Sequence, residues 1–288
     1  MSNYCIYADS ACDLGGKRLK SLNVKFLNLT FYSTNDNKEY ENNEISEKEF
    51  FNRMRNGEVF KTSAINTEAF KNAFEAELKN GNNIIYLAFS SGLSTTYNSA
   101  RIAADELSES YPNCKIAVID TRAASAGLGL IVALTAKKRD EGADFDELVS
   151  YATELSPKVC HWFTVDDLTY LKRGGRVSPT VALVGSILGI KPILHCDDDG
   201  KLINISKVRG RNASIQALAD KIGELAVDAT KGPIFICHGD CEKDAKLLSD
   251  IIEKKYGLKT DTTVYVGPVI GAHSGPGTLA VFFIGKER

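Results

Sequence analysis

The 288-residue chain has no surplus of basic charge: 35 Lys and Arg stand against 37 Asp and Glu, a formal net charge of -2. Nucleic-acid binders ordinarily carry a basic excess, so no nucleic-acid partner is expected. No apolar run approaches the roughly 18 residues of a membrane span, and the opening MSNYCIYADSACDL has no basic stretch followed by an apolar one. The expectation is a cytoplasmic protein. Its seven cysteines form no CxxC pair, and an odd count in a chain of this composition predicts reduced thiols. Cys237-His238-Gly239-Asp240-Cys241 matches no standard zinc spacing, so no metal site is expected. The Walker pattern is missing. In GLSTT, Thr96 stands where a nucleophile elbow around Ser94 needs its second glycine. GLGLIV at Gly127 has two of the three glycines of a dinucleotide fingerprint and begins several residues beyond its strand. Internal repeats and low-complexity segments are missing too.

What is present is an alternation of strands and helices. CIYA (5–8), VKFLNLTFY (24–32), IIYLAF (84–89) and KIAVID (115–120) read as strands, the last two as continuous apolar runs. Ser46 with Glu49 forms a capping box, Thr67 can cap a helix that stops before Gly81, and Asp144 with Glu147 starts another. KTSAIN (61–66) and SSGLST (90–95) read as connections leading into helices. Such a βα series predicts a mainly parallel sheet with helices on both faces and ligands beyond the carboxyl ends of its strands.

The second half reads differently. HWFTV is a strand, and Asp167 to Lys172 a short helix. Ser178-Pro179 begins an apolar helix, and Asp199-Gly200 is the turn of a hairpin. PIFICH, TTVYVG and LAVFFIG are strands, and VIGAHSGPG is a glycine-rich loop. The prediction is an α/β protein in two domains. Residues 1–156 form a three-layer α/β/α unit, and residues 157–288 a two-layer α/β unit with a mixed sheet and helices on one face.

Candidate functional groups gather at turns. Arg173 and Arg176 flank Gly174-Gly175, and Arg209 and Arg211 flank Gly210. Glycine lets a ligand come close and guanidinium offers a planar fork to a carboxylate or phosphate, although surface arginines in two turns have the same pattern. Thr62, Ser63 and Ser94 lie beside helix starts, where hydroxyls can hold an anion but serve more often as caps. His273 stands among glycines and can donate to an anion in neutral or charged form. ASAGLGLIVAL and VALVGSILGI are apolar on nearly all faces, as a channel wall or a plainly buried helix would be.

DSACDL (9–14), KTS (61–63), SSGLSTTYNSA (90–100), VIDTRAASAGLG (118–129), DLTYLKRGGRVS (167–178), IKPIL (190–194), RGR (209–211) and IGAHSGPGTLAV (270–281) together resemble the DegV family, in family order and over nearly the whole chain. The resemblance implies a DegV-like fold of two domains that binds one long-chain fatty acid, of palmitate, stearate or oleate type, between them. It further implies a non-catalytic carrier, the fatty-acid-binding subunit of a bacterial fatty acid kinase. Such a subunit presents the carboxylate to a separate ATP-dependent kinase, carries the acyl-phosphate away, and has a membrane acyltransferase as a further partner in phospholipid synthesis. By the same resemblance Thr62 and Ser94 hold the carboxylate, with Ser63 beside them, and Arg173, Arg211 and His273 are positive groups around the head. Thr95 replaces a glycine frequent in the family, and Ala64-Ile65 replaces a pair such as Gln-Pro. A rival reading from the residues is a serine-dependent acyl hydrolase or acyltransferase using Ser94 and His273.

Overall fold

The structure, a computed structural model, describes residues 4–35, 37–42, 44–177 and 189–288. In chain order the first half runs β1 (Tyr4–Asp9), α1 (Gly15–Ser21), β2 (Lys25–Leu27), β3 (Thr30–Ser33), β4 (Glu39–Glu41), α2 (Glu47–Arg55) and β5 (Phe60–Ser63). It continues through α3 (Thr67–Leu78), β6 (Asn83–Phe89), α4 (Thr96–Ser110), β7 (Ile116–Ala123), α5 (Ser125–Asp140) and α6 (Phe145–Leu155). The second half contains β8 (Val159–Thr164), α7 (Thr169–Arg173), β9 (Ile190–Cys196), β10 (Leu202–Arg209), α8 (Arg211–Leu225) and β11 (Phe235–His238). It ends with α9 (Glu242–Tyr256), β12 (Thr262–Tyr265), α10 (Pro268–Ser274) and β13 (Leu279–Ile284). The apolar helix read from Ser178 lies outside the described residues.

The mixed α/β fold is the one the strand pattern predicts. β2-β1-β6-β7 is an all-parallel sheet, and six of the seven residues of β6 are buried, which requires cover on both faces. The second sheet, β10-β9-β8-β13-β11-β12, is antiparallel except for the β11–β12 pair. Its central strand β13 comes late in the chain. Cys160, Trp162, Val281 and Phe283 face a core shared with α8 and α9. The strand period of two sends His161, Phe163, Ala280 and Phe282 to the opposite face. α5 lies against that opposite face, packing on β8, β11 and β13 while also touching β6 and β7. A helix between two sheets must be apolar all round, and Leu128, Leu130, Ile131 and Val132 are fully buried.

Ser46 caps α2 by accepting from the Glu49 N–H at 3.2 Å without the return bond of a capping box, and four further local readings differ from the structure. Residues 24–32 are two strands, β2 in the parallel sheet and β3 in a small antiparallel sheet β4-β3-β5. Lys61–Ser63 is the end of β5, paired with β3, because Phe60 packs on Phe31 and Phe50 and draws the segment into the small sheet. The cap of α3 is Asn66, whose side chain accepts from the Ala69 N–H at 2.8 Å. Finally, Pro268–Ser274 is helical, with proline in its first turn. Gly271 fits there because a Cβ would lie 2.9 Å from the rings of Phe50 and Phe51.

Candidate functional site

A cavity of about 470 Å³ lies where the carboxyl edge of the parallel sheet meets the open face of the mixed sheet. That volume falls in the roughly 300–1,000 Å³ range of small-ligand sites. Its wall is chiefly apolar: Leu29 and Phe89 from the first half, and Phe163, Ala280 and Phe282 from the second. Polar groups collect where four segments meet. Thr62 comes from β5, Ser91, Ser94 and Thr95 from the turn before α4, Arg176 from the turn after α7, and His273 from α10.

Thr62 Oγ1 and His273 Nε2 are 2.8 Å apart, a hydrogen bond between residues 211 positions apart that closes one half on the other. Burial, and then the nearby Arg176 guanidinium, pull the His273 imidazole from 6.5 down to about 4. Both effects favour the neutral imidazole, where the family resemblance implies a positive group. Among the described residues its Nδ1 is buried without a partner, and Gly174 packs against it so closely that any Cβ would collide. Ser94 Oγ lies 2.9 Å from Thr96 Oγ1 and accepts from the Thr96 N–H at 3.2 Å, at the start of the 15-residue α4. A helix start favours an anion through its unpaired N–H groups and dipole. Because Ser94 pairs with Thr96 and His273 with Thr62, the serine–histidine contact that nucleophilic catalysis needs is not formed.

The remaining expected residues lie elsewhere. Ser63 follows Thr62 on a strand and so points to its opposite face. Arg173 is exposed and lies over the Tyr170 ring, 5.7 Å from its centroid. Arg211 donates from Nε to Asp244 at 2.8 Å and pairs with Asp166 at 3.6 Å. None of these three lines the cavity. The arginine that does is Arg176, whose Nε donates to the Leu93 carbonyl at 3.2 Å and whose Nη1 donates to that of Gly174. Burial lowers its affinity for its proton without bringing it near neutrality. The glycine pair before Arg176 was its sequence signal, but four arginines share a glycine neighbour and spacing does not say which turns inward. Among the described residues no group of His, Cys, Asp and Glu could hold a metal ion. Likewise no described helix is long and apolar enough to cross a membrane.

The arrangement is a water-poor slot with hydroxyl and imidazole hydrogen-bonding groups, a helix start and one cation at its polar end, suited to an acid carrying an apolar tail. Comparison with known proteins places it in context. The DegV family model, described as an uncharacterised protein family, matches residues 4–286. A DegV domain-containing protein of Clostridium perfringens is 45% identical over 100% of this chain and 99% of its own. The crystal structure of a DegV lipid binding protein from Thermotoga maritima superposes with a TM-score of 0.85 at 28% identity, covering 100% of both chains. A stearic acid-binding protein from Eubacterium ventriosum gives 0.88 at 25% identity, covering 98% of each.

Proposed function

The chain belongs to the DegV family, and from that premise we propose that it binds one long-chain fatty acid, of palmitate, stearate or oleate type, in the cavity between its two sheets. The observation that carries this reading is the Thr62–His273 hydrogen bond at the polar end of a largely apolar cavity. With the imidazole neutral, Nε2–H donates to Thr62 Oγ1, and the threonine hydroxyl is left to donate to a carboxylate oxygen. Ser94 supplies the second donor, and Arg176 supplies the charge. The tail lies along Phe163, Ala280 and Phe282, where each buried CH2 contributes about 0.8 kcal/mol, on the order of 10 kcal/mol for a C16 to C18 chain.

The protein acts as a carrier without chemistry of its own. A separate ATP-dependent kinase phosphorylates the held carboxylate, and the carrier takes the acyl-phosphate to an acyltransferase at the membrane. In this reading exposed Arg173, beside the turn that holds Arg176, meets the partner or the phosphorylated product, while Arg211 stays paired with Asp244. Ser63, on the outer face of β5, supports Thr62 through the strand.

The test is extraction of the purified protein, incubated with oleate or palmitate, into organic solvent. Mass spectrometry finds about one acyl chain per protein, and Thr62→Ala or Ser94→Ala lowers retention by about 10-fold, as loss of one charge-assisted hydrogen bond implies. With ATP and the kinase, hydroxylamine then traps an acyl hydroxamate. No acyl species in the extract removes the binding reading; acyl species without hydroxamate removes only the kinase step.

A further inference from the structure

The turn that carries Ser94 is held from the other half of the molecule. The β9–β10 hairpin reaches across with its tip, Asp197–Gly200, to the carboxyl edge of the parallel sheet. Ser90 is fully buried there, and its Oγ donates to the Gly200 carbonyl at 2.8 Å while accepting from the Gly92 N–H at 3.1 Å. The fit has no slack. A Cβ on Gly92 would lie 2.7 Å from the Asp199 carbonyl oxygen, and a Cβ on Gly200 would collide with Ser90 Oγ. Arg122 Nη1 donates to the Asp198 carbonyl at 2.6 Å, fixing the tip from a second side. Beyond Ser90, the Ser94 and Leu93 N–H groups both donate to the Ser90 carbonyl at 3.1 Å, so the position of Ser90 sets that of Ser94.

We propose that Ser90 is a positioning residue for head-group selection: by bonding the turn to the hairpin tip it aims Ser94 at the carboxylate, so the second half decides which head group the first half accepts. The tip is then part of the specificity apparatus without touching ligand. The inference rests on the fatty-acid reading, and its test separates the two.

An alcohol of equal chain length fills the same apolar wall but offers no carboxylate. A strut that only maintains the fold affects acid and alcohol alike, whereas one that aims Ser94 affects the acid alone. Palmitic acid and hexadecanol are titrated into delipidated full-length protein, and the ratio of their dissociation constants is taken. Ser90→Ala is expected to shrink the preference for the acid by about tenfold, equivalent to about 1.4 kcal/mol, with hexadecanol affinity within about twofold of the parent. Arg122→Ala removes a contact at the exposed side of the tip and is expected to shrink the preference by a smaller factor in the same direction, which keeps the test open if Ser90→Ala folds poorly. An unchanged ratio in both variants, or equal weakening of acid and alcohol, overturns the inference. A parent protein that binds neither compound removes the fatty-acid reading and this inference with it.

Discussion

Asp13 is a buried acid at the junction of the halves. Its Oδ2 accepts from Ser125 Oγ, Ser125 in turn lies 3.2 Å from Cys237 Sγ, and Oδ1 faces the backbone of Gly267. Burial pushes its carboxyl up from 3.8 to about 7, opposed by the Ser125 hydroxyl, with the charges of Glu47 and Asp9 adding to the rise. The folded chain thus keeps a proton that the unfolded chain gives up, so stability from this group is complete below pH 3.8 and falls as pH rises toward 7. Asp13→Asn, which cannot ionise, should be more stable than the parent at pH 8, by on the order of 4 kcal/mol in chemical denaturation, and equal to it near pH 4. Parallel stability–pH curves for the two proteins would refute this. Asp13 stood in the sequence only as part of DSACDL, since nothing in spacing shows that an acid is dry. Thr62, Ser94 and His273 were singled out by the family motifs, since a hydroxyl at a helix start serves as readily for a cap as for an anion. Spacing did not show that Arg211 turns away from the cavity: a guanidinium on a long stem reaches whichever acid is near, and Asp244 and Asp166 belong to segments remote in sequence, while Arg173 lies over the Tyr170 ring.

At the scale of elements, α5 and α10 show what periodicity can and cannot disclose. The run SAGLGLIVAL has no polar stripe because α5 is covered on every side, and pattern alone did not separate a channel wall from a core helix. Both descriptions hold in part: Ala124 and Ser125 reach the cavity, while Leu128 to Val132 pack between sheets. Gly129 permits that packing, since a Cβ there would lie 2.6 Å from the Cys12 carbonyl oxygen. Gly129→Ala should therefore cost about 1–3 kcal/mol by displacing α5 from the turn at 10–12, read as a lower urea midpoint. A midpoint equal to the parent's would show that the helix shifts freely. α10 was read as loop because of Gly271 and the glycines after Ser274. Those glycines answer to neighbours far away in sequence: Gly271 to the rings of Phe50 and Phe51, Gly275 to the ring of Tyr170, and Gly277 to the Asp166 side chain.

On the scale of the whole molecule, the division at residue 156 stands as a proposal about how the chain is built, each side contributing its own sheets. It need not be a division in stability. One apolar cluster includes Phe50 and Leu130 together with Phe163 and Phe282, and Arg288 donates to the carbonyls of Thr121 and Ser156 at 3.0 and 2.6 Å. Heat should accordingly unfold both parts in a single transition, seen as coincident melting of Trp162 fluorescence and far-ultraviolet circular dichroism; two separated transitions would contradict the shared core.

The place of β13 bears on how the protein is made. During synthesis β8 and β11 are complete long before residues 279–284 leave the ribosome, and the strand that joins them has not yet been translated. Each meanwhile offers a bare flank to any passing chain. The nascent polypeptide can assemble the mixed sheet, and with it the greasy slot, only once that missing middle piece has been made and slides into its gap.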